Sequence, residues 1–154
     1  MIAGPSEVLI VADEAANPTY IAADLLAQAE HDPNTASVLV TWDEQLAEST
    51  KQEADRLFKQ LSRKNILSDS LKRYSAIVLV RSQEDAIEFS NEYSPEHLEL
   101  MVEDSMALMP RFRNAGAIFL GAYAALIFAR ALWLGSHGLA HAPTGPALSV
   151  GLSF

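Results

Sequence analysis

Cysteine is missing from all 154 residues, so no disulfide braces the fold and any metal must be held by imidazole, carboxylate or amide groups. Acidic residues are missing from the last fifty positions: all twenty lie at or before Asp104, and from Ala131 onward no formal charge of either sign occurs. No Gly-x-Gly-x-x-Gly follows a strand-like run, which excludes the glycine-rich dinucleotide cradle within these residues. No run of about 18 uncharged apolar residues sits in a helical setting, so no membrane partner is expected. Met1-Ile2-Ala3-Gly4-Pro5 lacks the basic start of a signal peptide, which makes a cytoplasmic home the default. Basic charge is scarce: 11 Lys and Arg against 20 Asp and Glu leave a net charge of −9, which argues against nucleic acid or an anionic membrane as partner.

What is present is a hydrophobic fraction of 49% with both strand and helix periodicities, in a chain the size of one domain. Glu7–Ala12, Ala36–Val40, Ser75–Val80 and Ala117–Leu120 are short apolar runs suited to buried strands. Between them lie helical patterns. Asn17-Pro18 reads as an N-cap with proline at the first helical position, followed by an apolar stripe at Ile21, Ala22, Leu25, Leu26 and Ala29. Thr41-Trp42-Asp43-Glu44 reads as a capping box opening a long charged helix, and Ser82-Gln83-Glu84-Asp85 as another. A weaker helical segment spans 68–73 and a short helix 106–112. The alternation predicts an α/β fold, Rossmann-like, with strands and helices around a mostly parallel sheet. In such sheets a site is expected at the carboxyl ends of the strands.

Several polar residues stand out against this background. Gln28 and His31 are three apart, about 60° around a helix, so both side chains can reach one point. They read locally as an ordinary polar helix end, or alternatively as two ligands of a metal with N/O coordination, most naturally zinc. Ser6 reads as a turn residue or a substrate contact. In Tyr93-Ser94-Pro95-Glu96-His97-Leu98, the local reading of Glu96 and His97 is a helix start, with Ser94 as cap and Pro95 at the first position. The functional reading gives a partly buried Glu96 the task of activating water and His97 that of accepting a proton.

Four segments carry a resemblance: Ala3-Gly4-Pro5-Ser6-Glu7-Val8-Leu9, the run Ala22 to Asp32 (AADLLAQAEHD), Pro95-Glu96-His97-Leu98-Glu99-Leu100, and Arg113 to Gly121 (RNAGAIFLG). In this order and spacing, through about Tyr123, the chain resembles histidinol dehydrogenase. The resemblance implies an NAD-dependent, zinc-requiring enzyme that oxidises L-histidinol twice, through L-histidinaldehyde to L-histidine, and works as a homodimer. By position it implies Gln28 and His31 as zinc ligands facing the substrate, with Ser6 and His97 as further substrate contacts. His97 becomes the base for the alcohol proton and Glu96 the activator of the water that attacks the aldehyde. The implied role of the metal is to fix the amine and imidazole nitrogens of histidinol, orienting the substrate rather than generating hydroxide.

The likeness is incomplete. The chain corresponds to the middle of the family's length, and the N-terminal portion that supplies nicotinamide-cofactor contacts has no counterpart. Residues 1–123 are therefore expected to form the family-like α/β domain and 124–154 an atypical uncharged tail. Where the family continues with Thr-Pro-Glu and Gly-Asp-Tyr, whose Asp binds zinc, this sequence has Ala124-Ala125-Leu126 and Ala129-Arg130-Ala131. A guanidinium cannot ligate zinc and its fixed charge repels it. A tail read out of frame accounts for the break; resequencing with translation of all frames past codon 123 tests it. The expectation is a partial histidinol dehydrogenase that does not turn over alone. The alternatives are an inactive remnant or interaction module of the same fold, and an unrelated metal-dependent hydrolase with Glu96 as base.

Overall fold

The computed structural model describes residues 7–31, 35–61, 75–121 and 149–151, with backbone alone at 30, 31 and 149–151. The elements alternate: β1 (Glu7–Ala12), α1 (Pro18–His31), β2 (Ala36–Thr41), α2 (Glu44–Gln60), β3 (Ser75–Leu79), α3 (Gln83–Tyr93), β4 (His97–Met101), a one-turn α4 (Ser105–Leu108) running into a 3-10 turn (Met109–Arg111), β5 (Ala117–Leu120) and β6 (Ser149–Gly151). Strand order is β3-β2-β1-β4-β5-β6; the first five run parallel and β6 pairs antiparallel with β5. This is the alternating, mostly parallel α/β architecture expected from the sequence. Among the described residues no helix is long and apolar enough to cross a membrane.

Alternation along the strands sorts side chains into two layers. Val8, Ile10, Ala12, Leu39 and Met101 pack against Ile21 and Leu25 of α1 and Leu46 of α2. Leu9, Val11, Val40, Leu98, Leu100 and Ile118 face Ala86 and Ile87 of α3 and Leu108 and Phe112 beyond β4. β1 is buried almost throughout because it has a strand on each side and a helical layer on each face.

Helix boundaries follow local chemistry. The Asn17 side chain accepts from Thr19 N at 2.9 Å with Pro18 at the first helical position, as the sequence predicts. Ser82 caps α3 by accepting from Asp85 N at 3.2 Å. In α2 the cap is Asp43, which accepts from Leu46 N, not Thr41. Thr41 ends β2 and its Oγ1 accepts from Asp43 N at 3.1 Å, so it steadies the approach to the cap.

The largest departure from the sequence reading is at Ser94-Pro95. No helix starts there; α3 ends. Ser94 takes the left-handed conformation (φ 53°, ψ 57°) as C-cap, its N–H donating to Ser90 O, and Pro95 prevents continuation. The chain then enters β4, the central strand between β1 and β5, at a place where the sequence pattern predicted no strand. The helical pattern over 68–73 lies outside the described residues.

Candidate functional site

On α1, Asp24, Gln28 and His31 fall at i, i+4 and i+7, one line along the helix. Asp24 and Gln28 are 5% and 2% exposed, so this line faces the sheet. His31 is the last residue of α1, and its side chain lies outside the described residues.

On β4, His97, Glu99 and Met101 alternate with Leu98 and Leu100. The apolar alternates sit in the α3-side core and Met101 in the α1-side core, which sends His97 and Glu99 toward α1. The register agrees: Val8 pairs with His97 and Ile10 with Glu99, and both β1 residues belong to the α1-side layer.

His97 opens the strand, where its ring is held from several directions. Nδ1 lies 3.3 Å from the carbonyl oxygen of Glu7. A carbonyl only accepts, so Nδ1 carries the proton and Nε2 is the basic nitrogen of the neutral ring. The Phe119 ring packs against the imidazole with centroids 6.0 Å apart. The Glu96 carboxylate stands beside it, Oε2 to Nδ1 4.0 Å. Its side chain is 57% exposed, against 22% for His97, so Glu96 is open to solvent where a partly buried carboxyl was expected.

The Glu96 backbone is fixed more tightly than its side chain. Its carbonyl accepts from Ala117 N at 2.9 Å, and Gly116 N donates to Pro95 O at 3.0 Å. Gly116 lies so close that a Cβ there would be 2.7 Å from Glu96 O, a separation that forces movement. Asn91 braces the loop that delivers Gly116: its side chain donates to Arg111 O at 3.0 Å and accepts from Arg113 N at 2.7 Å, while Asn114 donates to its carbonyl at 2.8 Å.

One layer deeper, Asp24 of α1 and Glu99 of β4 are both buried in the α1-side layer, close enough for their carboxyls to interact. Burial, then the charge of Glu99, then hydrogen bonding to it push the Asp24 carboxyl up to about 9. Burial pushes Glu99 up to about 7 against the opposing effect of the hydrogen bond from Asp24. Neither residue stood out in the sequence as a site residue. The available signal was Glu99 itself, a charge on an otherwise apolar run, beside the equally buried Asp24 one helical turn before Gln28.

Gln28 and His97 thus share the α1-side layer, with His97 and Glu96 at the amino end of β4 and Gln28 in the C-terminal half of α1. Ser6 and residues 124–131 lie outside the described residues. The gathering is at the amino ends of the parallel strands, opposite to the expectation from open α/β sheets. At the carboxyl ends, Asp13, Glu14, Glu103 and Asp104 line a cleft of about 420 Å³, where Asp13 accepts from Glu103 N at 3.0 Å. Four carboxylates there are unsuited to the phosphates of a dinucleotide.

Among the described residues no group of three or more His, Cys, Asp or Glu side chains could hold a metal ion. The α1 candidates, Gln28 and His31, amount to two donors, fewer than the three protein ligands of a catalytic zinc site. The described residues therefore do not by themselves fit a complete zinc shell.

A mostly parallel α/β sheet with an imidazole–carboxylate pair at the amino end of a central strand defines a Rossmann-like domain, and that pair is its candidate acid–base site. Residues 1–139 match the histidinol dehydrogenase family, and the chain belongs to that family. It is 55% identical over 123 residues to histidinol dehydrogenase of Aquifex aeolicus, covering 80% of this chain and 29% of that protein. It is 54% identical over 123 residues to the Desulfotalea psychrophila protein, covering 80% and 28%. A crystal structure of histidinol dehydrogenase from Elizabethkingia anophelis superposes with a TM-score of 0.73 at 45% identity, covering 79% of this chain and 28% of that one. The chain thus spans under a third of the length of these relatives.

Proposed function

We propose that this chain carries the acid–base part of a histidinol dehydrogenase site, in which L-histidinol is oxidised through L-histidinaldehyde to L-histidine. The observation that carries the reading is the contact between His97 Nδ1 and the Glu7 carbonyl oxygen. With Nδ1–H donating to Glu7 O at 3.3 Å, Nε2 is the nitrogen able to take the proton of the substrate alcohol as the carbon is oxidised. Glu96, exposed beside it, takes a proton from the water that adds to the aldehyde carbon, which prepares the second oxidation. Ser6 contacts the substrate. Gln28 and His31 would supply two donors to a zinc ion, which would serve to orient the substrate. NAD is the oxidant of this reading, and the described residues offer it no phosphate cradle. A cytoplasmic homodimer is the form in which the reading places the chain.

Family membership, the matching segments around Ser6, Gln28, His31 and Glu96-His97, and the His97 geometry support this reading. A second reading, an inactive remnant of the fold, is favoured by Arg130 in the register of a zinc-binding Asp and by the two-donor metal site. One experiment separates them: the purified chain is titrated with zinc and then L-histidinol while the Gln28 side-chain amide and His97 ring are followed by NMR. The site reading expects both residues to respond, with no NADH formed when NAD is added. No zinc uptake and no response to histidinol would establish the remnant; NADH formation would overturn the expectation of an incomplete site.

A further inference from the structure

We propose that Asp24 and Glu99 form a proton-sharing carboxyl pair that ties α1 to β4 one layer beneath the site and sets Gln28 against His97. The pair itself stands on burial and topology; its importance for the site rests on the reading of Gln28 and His97 above.

Asp24 and Glu99 are 5% and 1% exposed, which is far below what two ionised carboxylates tolerate side by side. As carboxylates, Asp24 Oδ2 and Glu99 Oε2 find no donor among the described residues. One proton resolves both problems: it removes a charge, and it turns one carboxyl into a donor to the other. Among the described residues, the register partners of Glu99 are Ile10 and Phe119, α2 buries Leu46 and Thr50, Gln28 is the buried amide on α1, and the titratable neighbour on the same face of β4 is His97. The upward displacement of both carboxyls agrees with a retained proton, and the two titrate as a unit.

The spacing converts this tie into a positioning device. From Asp24 to Gln28 is one turn of helix, a rise of about 6 Å. From Glu99 to His97 is two residues of strand, about 6.6 Å. The helix runs antiparallel to the strands, so both steps lead the same way, toward the strands' amino ends. A contact fixed at Asp24–Glu99 therefore brings Gln28 and His97 to one level. Asp24 and Glu99 touch no reacting atom in this reading. They are positioning residues.

The sign of the pH effect follows from the raised carboxyls. Between the ordinary carboxylate range near 4 and about 9 the folded chain holds more protons than the unfolded one, so the stability owed to the pair is lost as pH rises through that window. The test follows Tm from pH 5 to 9 for the wild-type chain, Asp24→Asn and Asp24→Ala, together with the NMR signals of the Gln28 amide and His97 ring at 25 °C. Wild type is expected to lose at least about 5 °C of Tm across the range. Asp24→Asn, whose amide donates as the protonated carboxyl does, flattens the profile and leaves both signals in place. Asp24→Ala lowers Tm throughout and displaces both signals. A flat wild-type profile, or one that Asp24→Asn leaves unchanged, overturns the proton sharing. Signals that stay put in Asp24→Ala overturn the positioning role. If Asp24→Ala does not fold, displaced signals in the folded Asp24→Asn overturn that role equally. None of these readouts needs zinc or histidinol, so failure of the site reading and failure of this one are told apart.

Discussion

Gly116→Ala isolates the contact that holds the Glu96–His97 backbone. The added methyl would sit 2.7 Å from Glu96 O and 3.4 Å from Glu96 C, both backbone atoms that cannot swing aside as a side chain can. Crowding of this kind costs about 1–3 kcal/mol. Moving the Glu96 carbonyl away also weakens its bond from Ala117 N, now 2.9 Å, for about another 0.5–1.5 kcal/mol. Alanine restricts the unfolded chain more than glycine and returns about 0.4–1 kcal/mol. The net loss is about 0.5–4 kcal/mol, which for a domain of this size lowers Tm by roughly 1–16 °C. The assay is thermal unfolding followed by circular dichroism, paired with an amide NMR spectrum in which Glu96, His97 and Ala117 shift while β2 and β3 do not. Gly121→Ala is the control. There φ is +83° with nothing within 4 Å of the new methyl, so it costs backbone strain without disturbing Glu96. A Gly116→Ala chain within about 1 °C of wild-type Tm, with unmoved Glu96 and His97 signals, refutes the reasoning.

Further expectations concern the caps and the imidazole. Asp43→Ala removes the acceptor for Leu46 N at the start of α2 and should cost about 1 kcal/mol in chemical denaturation, with Asp43→Ser recovering most of it. Ser94→Val places a β-branched residue at φ 53° and should cost about 1–3 kcal/mol, whereas Ser94→Asn should be near neutral by the same measurement. Replacing the histidine equivalent to His97 by Gln in a full-length relative should lower kcat by about 10²–10⁴-fold, the usual worth of a general base; an unchanged kcat would remove that role.

The residues that hid parts of this fold from the sequence are the ones that make it particular. Strands β1, β2, β3 and β5 are legible because their runs are largely apolar; β1 and β2 are buried almost throughout, as strands covered on both faces are, whereas β3 stands at the sheet edge with Leu79 half exposed. β4 is as buried as β1 and β2 but carries Glu99 in its middle and Ser94-Pro95-Glu96 before it, a pattern that reads equally well as the start of a helix. Only partnership with Asp24, 75 positions earlier in the sequence, lets that charge lie inside, and no local pattern contains it. The candidate residues gather at the amino ends of the strands and not at the carboxyl ends the pattern predicts, for a related reason. Glu96-His97 lies before its strand and Gln28 late in its helix, and with β4 unread the dipeptide had no strand end to belong to. The Gln28 and His97 candidates themselves were legible from spacing and resemblance.

The strand order has a bearing on how the chain is made. β1 lies at the middle of the sheet between β2 and β4, yet Val8 meets its partner His97 only after 89 further residues, by the difference of their positions. Closing a loop of that length costs about 4 kcal/mol in chain entropy before any pairing is rewarded. During synthesis β1, β2 and β3 can assemble while the other edge of β1 remains open, and β1 is a strand whose last five residues are apolar and buried. The arrival of β4 covers it, and with it comes the carboxyl that must find Asp24. Until the strand bearing His97 emerges, this part of the nascent chain exposes an aggregation-prone edge, so the imidazole and the cover for that edge arrive in the same event.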